Sequence, residues 1–187
     1  MKQLLSKLIP ATIALAFALL GGSFLFAQSN DSAQITELLQ QAKARAVQAN
    51  LDAEVIASFT RSGTSWRSHA TQLLSMKEHI NAMSKMLTEM DEARAEGSAW
   101  QQEAIDNIEP LLRSMADHLT TMIDHLNEHP NKVQMPAYVE YTRANMRLSE
   151  KLLAMVKDYV DYSEAKATAD ALEQKLDLPE TTTSGGE

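Results

Sequence analysis

Three stretches of the chain place apolar side chains at alternating steps of three and four. The first runs Trp66, His69, Leu73, Met76, Ile80, Met83, Leu87, Met90. The second runs from Ile105 to His129 through Met115 and Met122, and the third from Tyr138 to Tyr162 through Asn145 and Leu152. Such spacing keeps one face of an α-helix apolar turn after turn, the requirement for helices that pack side by side. It predicts helices over about 65–94, 99–129 and 136–175. A fourth helix, over about 32–60, rests on Ile35, Leu38, Leu39, Ile56 and Phe59 with alanines between them. This first helix is thin in large side chains. The stretch Asn50-Leu51-Asp52 is expected to interrupt it, and loose docking would leave an apolar strip on the other three.

The punctuation agrees with four helices. Asp31 or Ser32 opens the first, with Gln34 placed to reach back as in a capping box. Gly63 sits between Ser62 and Ser65, a stop followed by a restart. Gly97 marks the next turn, and Ser98 with Gln101 forms a capping box for the third helix. Pro130 ends that helix, whereas Pro136 suits a first helical position. Pro110, inside the third helix, removes a backbone donor and is expected to bend it. No run of period two bounded by turn residues is present. Connections this short force consecutive helices to run in opposite directions. The expected fold is all-α, an up-down-up-down antiparallel four-helix bundle occupying residues 28–179, with a disordered polar tail at 180–187.

The N-terminus adds a different element. Lys2 and Lys7 precede an uncharged apolar run from Leu8 to Ala27. A basic start and an apolar middle read as an export signal over residues 1–27, with cleavage expected after Ala27. Leu25, third before that cut, is bulkier than the usual small residue there. A run of this length also approaches the roughly 20 residues that span a bilayer, so an uncleaved anchor is the alternative. The expected compartment is periplasmic or extracellular, with membrane contact only through residues 8–27.

Composition narrows the chemistry. The chain has no cysteine, which removes disulfides, thiolate metal sites and cysteine nucleophiles. Its net charge is −8, with no cluster of Lys and Arg, which disfavours nucleic acid as a partner. No Gly-rich phosphate loop and no G-x-S-x-G elbow occurs. No Glu-x-x-His pair of the di-iron bundles is present either.

One chemical lead remains. Met-x-x-His occurs at Met76/His79, Met115/His118 and Met122/His125, a spacing that sets both side chains on one helical face. Folding the helices antiparallel predicts a mid-bundle cluster of His79 and His118 among methionines. It predicts an end cluster of His69, His125, His129, Tyr138 and Tyr141. Thioether and imidazole together suit copper, and His125 with His129 suits zinc or copper. The plainer reading is favoured: methionines at seam positions fill a core, and histidines on its flank hydrogen-bond a neighbouring helix. Residues 125–129 also match H-x-x-E-H. The proline that follows and the absence of strands make that match fortuitous. Asn145, at a seam position, reads as a register-setting core amide, or else as a second partner for His118 or His125.

The expectation is an exported, non-enzymatic helical bundle that binds a protein partner or itself, or serves structurally in the cell envelope. The alternative is a periplasmic copper or zinc protein using Met76, His79, Met115, His118, Met122, His69, His125 and His129.

Overall fold

The computed structural model describes residues 31–176, all of which are helix or connecting turn. Four helices follow one another: α1 (Ala33–Ser62), α2 (Trp66–Glu92), α3 (Ala99–Glu128) and α4 (Pro136–Leu176), with a 3-10 turn at Arg94–Glu96. The segments expected as signal (1–27) and tail (180–187) lie outside the described residues. Among the described residues there is no strand, and no helix is long and apolar enough to cross a membrane.

The helices form a bundle in which each touches two neighbours: α1 and α3 each lie against both α2 and α4. Side-chain pairs fix their senses. Phe59 meets His69, and Asp52 meets Gln72, across α1 and α2. Lys43 meets Asp161, and Asn50 meets Ser149, across α1 and α4. Asn107 meets Tyr159, and His125 meets Tyr138, across α3 and α4. In each case rising numbers on one helix meet falling numbers on the other, which is antiparallel pairing.

The first helix departs from expectation at one point. It is continuous through Asn50–Asp52, with Asp52 buried on the face that also carries Ala49, Ala53 and Ile56. It is also fully docked. Ala42, Ala46, Ala49, Ala53 and Ala57 are all buried, so the thin side of the helix is a close-packed seam and no strip is left open on the other three. Small side chains let neighbouring helices come near enough to fill the space that large ones would otherwise occupy.

The connections obey local chemistry. Gly63 takes the left-handed conformation, φ 67°, that closes α1, and its N–H donates to the Phe59 carbonyl. Gly97 sits in a close approach: a Cβ there would stand 2.8 Å from the Cδ1 tip of Ile35, which would have to shift. α3 runs unbroken through Pro110, whose ring is exposed, and Ser114 Oγ donates to the Pro110 carbonyl at 2.9 Å.

The start of α1 is capped by Ser32, whose Oγ accepts from Ile35 N at 3.4 Å. The reciprocal amide comes from Gln101 on α3, and not from Gln34 as expected. Gln101 is fully buried. Its Oε1 accepts from Ser32 N at 2.8 Å and from Ser98 N at 3.1 Å; its Nε2 donates to the Ser32 carbonyl at 2.9 Å and to Thr36 Oγ1 at 3.1 Å. One side chain thus serves the N-termini of two helices that do not lie side by side. Asp31 reinforces the same end, accepting from Trp100 Nε1 at 2.7 Å and pairing with Lys166 at 3.2 Å. Burial works to raise the Asp31 carboxyl, but the bonds from Ser98, Trp100 and Lys166 hold it below its ordinary value.

Two stability measurements follow. Gln101→Ala removes a cap from each of two helices and orphans the Ser32 backbone, so its urea midpoint falls by an amount equivalent to about 2–4 kcal/mol. Ala46→Leu overpacks the α1 seam and costs about 1–3 kcal/mol in the same assay, although it adds apolar volume.

Candidate functional site

The candidate residues divide into three groups. The methionines Met76, Met115 and Met122 are fully buried in the continuous apolar core. Each lies on the inward stripe of its helix, where an unbranched thioether fills irregular space. Met76 Sδ has one polar neighbour, Asn145 Nδ2 at 2.9 Å, reaching across from α4. Asn145 is therefore not a partner of His118 or His125. Its Oδ1 is buried without a hydrogen bond.

His79 and His118 do not share a site. His79 turns toward α1, with Nε2 3.6 Å from Asp52 Oδ2. His118 turns toward α4, its ring 6.0 Å from that of Tyr141. Counting along antiparallel helices fixes the height of a residue but not its rotation about the axis, and rotation separates these two. The Nδ1 atoms of both are buried and unpartnered. Asp52 is the residue the sequence reading missed. Its Oδ1 accepts from Gln72 Nε2 on α2. Burial nevertheless pushes its carboxyl above the ordinary value, outweighing that bond and the charge of His79. Its signal was available: Asp52 stands among the apolar positions of α1, where only a residue with cross-helix partners is at ease.

The end cluster does assemble, around Tyr138. This ring is fully buried at the first turn of α4, just after Pro136. Its Oη lies 3.0 Å from His69 Nδ1. The fully buried His69 ring is held edge-on between Phe59 and Tyr138, with centroids 5.4 Å away on each side. His125 stacks on the other side of Tyr138 at 5.1 Å, and His129 meets His125 edge-on at 5.4 Å. His125 Nε2 donates to the Lys132 carbonyl at 3.1 Å, tying α3 to the loop before α4. Tyr141, expected here, instead faces His118.

The electrostatics of this end are those of a dry aromatic stack. Burial pushes the Tyr138 hydroxyl well above its usual range, so it stays protonated and can donate to Nδ1. With Tyr138 as donor, the neutral His69 ring carries its proton on Nε2, which has no hydrogen-bond partner. Burial also lowers the affinity of His69 for a second proton, against the opposing pull of the Phe59 carbonyl.

As ligands these groups are dispersed. Among the described residues, no three of His, Cys, Asp and Glu converge as a metal ion requires. Two surface hollows lie elsewhere: one is lined by Lys151, Ala154, Met155, Asp158 and Tyr159, another by Gln41, Ala44, Arg45, Gln48 and Met86. None of the candidate residues borders either one.

The chain matches no protein-family model, no curated protein and no solved structure. Its reading rests on its own residues.

His69 makes stability depend on pH. Its folded pKa lies below the ordinary 6.5, so below that value the unfolded chain binds more protons than the folded one. The stabilisation is complete above pH 6.5 and is lost as pH falls through the lower folded value. Urea midpoints of the wild type therefore drop from pH 7 toward about pH 5, and His69→Phe flattens that slope. Asn145→Leu removes an orphaned buried oxygen and raises the midpoint at pH 7 by an amount equivalent to about 1 kcal/mol.

Proposed function

We propose that this chain is an exported, non-enzymatic helical-bundle protein of the cell envelope, acting through contacts that its helices make with other protein. In this reading the bundle is an up-down-up-down antiparallel one, carried across the membrane by the apolar run at residues 8–27. The observation that carries the reading is how the chemically capable side chains are used. The histidines face aromatic rings or a carboxylate of neighbouring helices, or the Lys132 carbonyl in the loop before α4. The methionines fill the core. A side chain committed to holding helices together is a poor candidate for turning over a substrate, which needs reacting groups converging on an accessible hollow.

Support for protein contact comes from α4, which is longer than its neighbours and exposes Leu172 and Leu176 at 52% and 60%. Large apolar side chains grouped on an exposed stretch of helix mark a surface that another protein can cover.

The reading is tested on protein purified from the native envelope fraction. Cross-linking followed by sedimentation over a wide concentration range should give a complex, either with a second protein or with itself. A strict monomer with no cross-linked partner refutes it. Elemental analysis of the same preparation decides the copper or zinc alternative. Stoichiometric metal, lost in the His125→Ala/His129→Ala or His79→Ala/His118→Ala pair, would replace the present reading.

A further inference from the structure

α1 carries a second face that its neighbours do not cover. Gln40, Ala44, Val47, Leu51, Val55 and Ser58 recur along the side opposite the alanine seam, at steps of four, three, four, four and three. Val47 is 37% exposed and Leu51 48%. No charge interrupts this line, and Gln41 and Gln48 flank it on the side of α2. The outward positions of α3, by contrast, include Glu103, Asp106, Arg113 and Asp117, all exposed. A helix with apolar residues on both sides is one that is covered on both sides.

The charges at its margin say what fits there. On the α4 side of the line stand Lys43, 3.5 Å from Asp161, and Glu54, which accepts from Asn50 Nδ2 at 2.8 Å. Among the described residues Glu54 has no cationic partner. A second copy laid antiparallel, with a twofold axis at residues 48–49, brings Lys43 level with the partner's Glu54 and Glu54 level with the partner's Lys43. The same axis sets Val47 against the partner's Leu51 and Gln48 against the partner's Gln48. It also brings the partner's Val55 to the hollow lined by Gln41, Ala44 and Gln48. Parallel pairing would instead oppose each charge to its own copy, which is unfavourable. Apolar matching and charge matching thus call for one and the same axis.

We propose that the outer face of α1 is the seam of a homodimer, two copies packed antiparallel about a twofold axis beside Gln48. The interface is isologous, so association closes at two chains. α1 then lies between its own bundle on the alanine side and its counterpart on the Val47–Leu51 side. The inference goes beyond the protein-contact reading, which stands on Leu172 and Leu176 of α4. The dimer uses neither residue and leaves that end of both copies open to another protein.

Sedimentation equilibrium of the purified full chain tests this directly. The wild type is expected as a dimer, and Leu51→Glu, which sets a carboxylate on the seam, weakens association by at least about tenfold. Leu74→Glu on α2 and Leu172→Glu/Leu176→Glu on α4, at similarly exposed positions, leave it unchanged. Circular dichroism checks that each variant keeps its helices. A short bis-maleimide on single cysteines, which the chain otherwise lacks, reads the orientation. Gln48→Cys links two copies, whereas Ser62→Cys, about 40 Å from its counterpart in the antiparallel pair, does not. A strict monomer, a dimer indifferent to Leu51→Glu, or linkage through Ser62→Cys overturns the proposal. A dimer broken only by Leu172→Glu/Leu176→Glu also overturns it, while leaving the protein-contact reading in place.

Discussion

Three polar links cross the bundle from corner to corner, and they fix what apolar seams alone leave free. A seam repeating every seven residues is satisfied almost as well after a slip of one repeat. Gln101 on α3 finds the Ser32 backbone of α1 only at one height. Asn145 on α4 meets Met76 on α2 near the middle, and Tyr138 on α4 meets His69 on α2 at the far end. Both diagonals are thereby pinned at defined levels, and the short turns carry the register to all four helices. Neighbouring helices supply the burial; opposite helices supply the alignment.

These links are unequal in quality. Gln101 has all its near polar capacity used, so its burial is offset in full. Asn145 and His69 each keep one buried polar atom unpartnered, and so do Asp52, His79 and His118. Each such atom costs on the order of 1–3 kcal/mol in desolvation, a considerable sum against a stability of roughly 5–15 kcal/mol. The bundle therefore trades stability for a unique alignment along its middle and far end, and holds its Gln101 end at little cost.

Much of this was legible in the sequence, for a reason that differs by element. Helix limits depend on caps, glycines, prolines and a local period, so Ser65, Ser98 and Pro136 start helices where reading them locally predicts. The buried core was legible too, because Leu73, Ile80, Leu112 and Leu119 obey the same period. Asp52 was misread as a breaker because its partners Gln72 and His79 belong to another helix. Gln101 was recognised as a cap for its own helix, while its second service to Ser32 depends on tertiary placement. The histidine clusters were half legible. Height along the axis follows from counting, so His69 and His125 do meet through Tyr138. Azimuth does not, so His79 and His118 face different neighbours.

The alanine seam of α1 has an energetic side of its own. Alanine has no rotamers to lose, so Ala42, Ala46, Ala49, Ala53 and Ala57 enter the interior without side-chain entropy loss. They also remove little apolar area from water, and the hydrophobic gain per residue is correspondingly small. Association of α1 with the rest is thus balanced between two modest quantities, while the leucine and methionine seams of α2 and α3 balance two large ones. Heating strengthens the entropic term and burdens the large side chains most, which makes the leanest helix the least temperature-sensitive of the four in this respect.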